Sequence, residues 1–552
     1  MEKIEYQISY NAVNKKFIDV QIVYKPVYIE EQFIVLQIPA WRPGRYELQQ
    51  YAKNIHSFKV VNQDENPIQY SKKDINTWII PFENNQSIKV SYKYYANQMD
   101  AGGSWVDEHQ LYINPINCLM YVAHKLQKPC KLKLMLPNHY QVACGKLLDN
   151  NHELELDSYY ELSDMPFIAS KDLKPINYEV GNTLFTCWFQ GKHQIDENQI
   201  ISDFKAFTEQ QLALFGDFPF EEYHFLIQSL PYHYYSHLHE PEYYFELLGI
   251  SSHELFHAWN VCKIRPLELQ PYNYSKPSYF QTGFVAEGFT TYYGDLMLVR
   301  AKVFTYLEYI DNFNRTLRLH FHNFGNSNSS LAESSFDLWL DGYQTSIPHR
   351  KVSIYQKGAF VACLLDWSIR KYTNHEKSLD DILQTMWNIY GKKNLGYTIQ
   401  EIEAMIVSLG GLQTKDLFDE AIFGKTDLAS WLKALAVEFG LQVNEMHPHA
   451  AIERMFGMKI LANSKGYIVD TIAPDSPADL LMSKGDIILE SDSQELMGIV
   501  LSNTLTMKVQ RNHQLLDICL EMNNNLYFKW YELAIDASAS EKVLQKQKLW
   551  LK

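Results

Sequence analysis

"GISSHELFHAWNVCKIRP", Gly249 to Pro266, is the stretch on which the reading of this chain turns. It sets His253, Glu254 and His257 in the pattern H-E-x-x-H. At 3.6 residues per helical turn, positions i and i+4 project from one face, so both imidazoles can reach a single ion while Glu254 stands one step around the helix. With 19 His in 552 residues, chance supplies such a pattern about once in 25 chains of this size. The pattern therefore needs support from elsewhere in the chain.

"FVAEGFTTYYGDL" puts Glu287 on a second predicted helix, 30 positions beyond His257. Catalytic zinc takes three protein ligands and leaves the fourth position open for water, so a carboxylate on a neighbouring helix is what the site lacks. Phe284, Val285 and Phe289 flank Glu287, an apolar setting in which an unpaired charge is costly. A ligand explains it better than a solvated surface glutamate. In "SIYQKGAFVACLLD", Tyr355 precedes Lys357 and Gly358 at the start of an apolar helix. A phenol beside a metal donates to the oxyanion of a polarised carbonyl, but a core tyrosine is the ordinary reading in a chain with 37 Tyr. Asp295, eight positions after Glu287, could share its helical face. A hydrogen bond to a ligand histidine and an acidic group facing cleft or solvent both fit it.

A chain this long exceeds one hydrophobic core and predicts about three or four domains. Hydrophobic residues at 46% and charged ones at 21% describe a folded globular protein. A net charge of −15 argues against a nucleic-acid partner. No segment offers about 18 consecutive apolar residues, and the start lacks a secretory signal, so neither a membrane span nor export is expected. Seven cysteines without a C-x-x-C pair read as reduced thiols. The expected location is the cytoplasm.

Residues 1–173 read as short strands such as "FIDVQIVYKP" and "SIKVSYKYYA", an N-terminal β-sandwich. Residues 174–448 carry longer helical patterns around the H-E-x-x-H segment. Residues 449–525 return to short strands in "GMKILANSKGYIVDTIAPDSPADLLMSKGDIILESD", and residues 526–552 read as a tail strand and helix. The fold class is multidomain α+β.

"SHELFHAWNVCKIRP", "AEGFTTYYGDL", "SSFDLWLDGY" with "SIYQKGA", and "IPAWRPGRYELQQYAKNI" together resemble the glycyl aminopeptidase family of zinc metallopeptidases, metallopeptidase family 61 of the gluzincin type, related to aminopeptidase N. The resemblance runs from near residue 5 to the C-terminus. It implies an N-terminal β-domain, a thermolysin-like, mostly helical catalytic domain and a C-terminal PDZ domain. Carried over residue by residue, it implies His253, His257 and Glu287 as ligands of one zinc ion per chain, Glu254 as general base and Tyr355 as oxyanion donor. Its substrates are peptides with small N-terminal residues such as Gly or Ala.

The pattern departs where the family reads a G-G-L-E-H-like segment, which serves the substrate's free amine. Here "YYSHLHEPEYY" has Ser236 and His237 in place of glycines, His239 at the expected glutamate, and Glu240 one step later. His239 and Glu240 are therefore the candidate substrate-binding residues, with Glu242 as a further substitute. The histidines of "PYHYYSHLHE" fit a polar cleft wall better than a second metal site. "RMFGMKI" resembles a weak PDZ carboxylate-binding loop, which would take a peptide or protein C-terminus as partner; a scaffold domain without ligand is the other reading. Beside the aminopeptidase stand an endopeptidase or dipeptidase of altered specificity, and a peptide-binding protein with a structural metal.

Overall fold

The computed structural model describes residues 2–12, 15–26, 32–82, 87–146, 148–149, 151–191, 194–228, 238–344, 346–489 and 503–552. They form a mixed α/β chain with a β-rich N-terminal part and a helical region. Two compact units make it up. The first is Met1–Leu255 with Pro271–Tyr279 and Leu338–Tyr343; the second is Phe256–Gln270, Phe280–Asp337 and Gln344–Lys552. The sequence reading set its first boundary at residue 173. The division into two units falls inside the helix Pro241–Phe256, and the three-stranded sheet that follows residue 173 belongs to the first unit.

Alternation builds that first unit. In Phe17–Lys25 every second side chain is buried, and the same holds along Ile88–Tyr95, the period-2 signature of a strand with one wet face. The strands Glu153–Leu156, Cys130–Met135, Lys3–Ala12, Phe17–Lys25, Ile88–Tyr95 and Ile55–Asn62 make one sheet in that order. Its inner residues Ile18, Val20 and Ile22 share a core with Ile34, Leu36, Trp78 and Ile80 of a four-stranded sheet. The hairpin Leu173–Val180 and Thr183–Gln190 then takes Glu222–Gln228 as a parallel edge strand. The intervening helix Glu197–Phe215 is capped at Asp196, whose side chain accepts from the Asn198 and Gln199 N–H groups. Two of the sequence motifs also meet in this unit. Trp41 of "AWRPGRYELQQ" packs edge-on against Trp339 of "LWLDGY" at 5.0 Å, and its indole N–H donates to the Asn273 carbonyl at 2.8 Å.

In the second unit the helices Thr290–Arg300, Tyr306–Phe321, Gln356–Tyr372 and Ile399–Phe418 surround an apolar centre. Five antiparallel strands follow in the order Met458–Asn463, Gly466–Ile472, Ile487–Leu489, Thr504–Arg511 and Gln514–Glu521. The Ser-Pro signal acts as expected: the Ser476 side chain accepts from Asp479 N–H and Pro477 opens the short helix Pro477–Leu481. Two donors of the "RMFGMKI" loop are already taken. Met455 N–H donates to the Ala451 carbonyl and Gly457 N–H to that of Glu453, so a helical turn consumes two groups that a carboxylate would need.

The tail strand Trp530–Ile535 pairs antiparallel with Leu441–Met446, and the helix Glu541–Trp550 follows. Trp550, 1% exposed, donates from its indole to Tyr292 Oη at 2.9 Å and stands edge-on to Trp367. Arg300 donates to the Trp550 carbonyl and to Asp380. Burial pushes the Asp380 carboxyl up, but Arg300 and Arg370 outweigh it and hold it below the usual range. Among the described residues no disulfide forms and no helix is long and apolar enough to cross a membrane. Replacing Trp550 with Ala removes a filled volume and leaves the Arg300 contacts without support. Urea denaturation of the variant should show a loss of about 3–5 kcal/mol.

Candidate metal centre

The helix Pro241–Phe256 carries His253 and ends one residue before His257, which lies in the turn that follows. Two side chains brace this helix from the same unit. Gln211 donates to both the carbonyl and the hydroxyl of Ser252, at 2.8 and 3.0 Å, and Tyr223 Oη donates to the Glu254 carbonyl at 3.1 Å. Glu254 itself is exposed. Glu287 is 2% exposed and sits in a π-helical turn, Phe284–Phe289, a distortion that recurs at functional sites because it re-aims one side chain.

The ligand atoms of His253, His257 and Glu287 all lie within 4.8 Å of one another, and this is the three-residue metal-capable cluster among the described residues. His257 Nε2 stands 3.4 Å from Glu287 Oε2. A tetrahedral ion with bonds of about 2.0–2.1 Å requires ligand–ligand edges of about 3.4 Å, so this pair has the spacing that zinc needs. The donor set of two imidazoles and one carboxylate also leaves a fourth position open.

Asn260 orients the site, and the sequence reading did not find it. Its carbonyl lies 2.7 Å from His257 Nδ1 and accepts from that ring's N–H, which leaves Nε2 as the lone-pair atom facing Glu287. Its buried carboxamide donates to the Val285 carbonyl at 2.8 Å and to Thr290 Oγ1 at 3.1 Å. One residue thus joins the segment after His257 to both ends of the turn carrying Glu287. The available signal was a lone amide inside the apolar run "HAWNVC". Phe256 stacks on Tyr293 at 5.3 Å, and Tyr293 Oη donates to Asp380 at 2.6 Å.

Glycines set the distance between the two helices that bear the other motifs. A Cβ at Gly288 would lie 2.5 Å from the Gly358 Cα and 2.9 Å from the Ile354 carbonyl oxygen, closer than real atoms approach. The π-helical turn and the start of Gln356–Tyr372 therefore touch backbone to backbone, which brings Tyr355, the residue ahead of that helix, to the same crossing. Ser353 Oγ accepts from the Tyr355 and Gln356 N–H groups at 3.2 Å. A polar cavity of about 570 Å³ lined by Gln281, Glu333, Asp337 and Arg350 lies in the same unit, and no member of the metal cluster lines it.

The other expected site residues stand as follows. His239 and Glu240 stand immediately before the helix Pro241–Phe256. Thirteen residues at 1.5 Å each put Glu240 roughly 20 Å along the axis from His253, too far to hold a substrate amine beside the ion. Glu242 lies in the first turn of the same helix and shares this limit. Ser236, His237 and the other histidine of "PYHYYSH" lie outside the described residues. Asp295 accepts from Asn312 Nδ2 at 2.8 Å rather than from an imidazole, because its helix continues past the π-turn toward Tyr306–Phe321.

The profile of the peptidase M61 N-terminal domain matches residues 5–171, and that of the M61 glycyl aminopeptidase matches residues 246–361. The crystal structure of an aminopeptidase N family protein from Idiomarina loihiensis superimposes with a TM-score of 0.90 over 100% of both chains at 24% identity, which shows the fold. A mutant M1 zinc metallopeptidase from Deinococcus radiodurans bound to a Tyr-Ser-Ala substrate gives a TM-score of 0.47 at 11% identity, covering 77% of this chain and 94% of that one. No curated protein sequence matches.

Two outcomes are expected here. Asn260→Ala keeps the main-chain carbonyl that holds His257 Nδ1 but removes the carboxamide ties that fix that carbonyl to the π-helical turn, and should weaken zinc binding about 10-fold in a chelator competition. Loss of hydration pushes the Asp295 carboxyl up to about 7. The folded state then holds a proton that the unfolded chain has released, so stability falls as pH rises from about 4 to 7. Asp295→Asn should remove that slope in denaturant titrations, matching wild type near pH 4 and exceeding it near pH 8.

Proposed function

The chain belongs to the M61 glycyl aminopeptidase family of peptidases, and on that premise we propose that it is a zinc-dependent aminopeptidase releasing small N-terminal residues, Gly or Ala, from peptides in the cytoplasm. The observation that carries the reading is the cluster of His253, His257 and Glu287 with Glu254 on the same helix as His253. In this reading those three residues hold one zinc ion. Bound zinc supplies Lewis acidity, polarising the scissile carbonyl and acidifying a water.

The remaining steps belong to the chain's own groups. Glu254, exposed beside His253, takes the proton of the attacking water and returns it to the departing amine, a base that becomes an acid. Tyr355 donates its phenolic hydrogen to the oxyanion that develops on the carbonyl. The Asn260 carbonyl, by holding the Nδ1 hydrogen of His257, keeps the other ring nitrogen unprotonated for the metal. Glu287 brings one negative charge into apolar surroundings, where a cation offsets its cost of burial.

A second reading is favoured by a specific observation. The acidic residues Glu240 and Glu242 stand at the far end of the helix from His253, which leaves the free amine without the carboxylate expected there. An endopeptidase needs none at that place. A peptide-binding protein with a structural metal is the less supported reading, since such a site has no use for Glu254. For the C-terminal five-stranded module we favour a PDZ-like scaffold, since two N–H groups of its loop are already taken; capture of a peptide terminus is the competing role.

Glu254→Gln should keep one zinc per chain by metal analysis while hydrolysis of Gly- and Ala-leading peptides falls by at least about 10³-fold. Undiminished turnover in that variant would refute the mechanism. N-acetylation of the same peptides should abolish cleavage by the wild type. An unchanged rate would select the endopeptidase reading.

A further inference from the structure

Lys357 follows Tyr355 by two positions in "SIYQKGA", and nothing above gives it a task. It is 1% exposed, and among the described residues its Nζ has no hydrogen-bond partner. Burial lowers its amine to about 8, with Asp427 pulling the other way. Its position adds a further cost, because Lys357 lies in the first turn of the helix Gln356–Tyr372, whose N-terminus is already the positive end of the peptide dipoles. An aliphatic side chain such as Met would fill the same space without any of these penalties. Filling the core therefore accounts for the stem and leaves the charged amine unexplained.

Two charged or titratable groups on the packed elements act on this amine. His320, on Tyr306–Phe321, is buried and lowered to about 3, first by burial and then by Lys357 itself. Its Nε2 lies 3.2 Å from the Asp427 carbonyl and donates to it, so the ring is neutral and adds no counter-charge. Asp427 spends a carboxylate oxygen on the Ala429 N–H at 3.1 Å. A charge that is buried and not directly paired is weakly screened, so its field reaches further than that of a surface lysine. The neighbouring residue Gly358 meets Gly288, next to Glu287, backbone to backbone, and Tyr355 lies two positions before Lys357.

We propose that Lys357 is a positioning residue for peptide hydrolysis: its buried, unpaired ammonium adds to the helix N-terminus a positive field that favours the phenol of Tyr355 as donor to the developing oxyanion. This inference rests on the reading of Tyr355 given above. The oxyanion gains a full negative charge during the step while the ground-state carbonyl carries none, so the field stabilises the transition state over the bound substrate. Coulomb's law puts the effect of one unit charge at about ten- to twentyfold in rate for a charge–oxyanion separation taken as roughly 10 Å and an effective dielectric of about 20.

The test is Lys357→Met in the full-length zinc-loaded protein, assayed with alanine p-nitroanilide. Zinc content and KM should match wild type, Tm should equal or exceed it, and kcat at pH 7 should fall about ten- to twentyfold. Wild-type kcat should decline as pH rises through about 8, a limb absent in Lys357→Met and moved to higher pH in Lys357→Arg, which keeps its charge. Lys357→Gln, also neutral, gives the same comparison should Met not be accommodated. The proposal is overturned if the neutral variants keep kcat within twofold of wild type, or if they lose Tm and zinc together with activity, which is a structural role. An active wild type with a dead Glu254→Gln variant and a normal Lys357→Met variant sinks this inference alone. Equal hydrolysis by wild type and Glu254→Gln sinks the mechanism beneath it.

Discussion

The contact on which the candidate centre depends is the one between Gly288 and Gly358. Two helical segments meet there with no side chain between them, since a Cβ at Gly288 would overlap the partner backbone. A full turn of π-helix lies on one side of the crossing and the start of a 17-residue helix on the other. The first carries Glu287 and the second follows Tyr355, so their separation follows from main-chain packing. Packed backbone changes little on thermal fluctuation, which is the rigidity that a metal site with one buried carboxylate requires.

Around that crossing the second unit spends polar groups on orientation. Asn260 ties the residue after the histidine pair to the π-helical turn. Behind it, Phe256 stacks on Tyr293, which donates to Asp380, which pairs with Arg300, which holds the carbonyl of Trp550. Arg370 and Asp366 complete the buried set, with Tyr292 donating to Asp366. Buried ion pairs of this kind return little net stability after desolvation. What they supply is direction, because each guanidinium and carboxylate accepts only certain geometries. Among the described residues the Lys357 amine has no such hydrogen-bond partner.

Much of the centre was legible in the sequence. H-E-x-x-H is a local pattern, set by helical period over five residues, and it survives in the fold because neighbouring turns determine it. Glu287 was legible for a different reason: a carboxylate in an apolar run is anomalous wherever it occurs. The distance of His239 and Glu240 from His253 was not legible, because alignment to a motif carries no distance, whereas a helix from Pro241 to Phe256 imposes about 1.5 Å per residue. The Asn312 partner of Asp295 was not legible, because helical phase alone does not tell which neighbour a side chain faces.

The sequence by itself determined what repeats locally: alternating strands in the first 170 or so residues, the histidine pair, the Ser-Pro helix start at Ser476 and Pro477, and membership of one peptidase family. These rest on backbone periodicity and hydrogen bonding within a few residues. Tertiary structure alone decided that the Asn260 carboxamide would reach Val285 and Thr290 and that Gly288 would meet Gly358. Each of those joins groups whose approach depends on the packing of whole elements, and packing is settled by the volume and shape of many side chains at once.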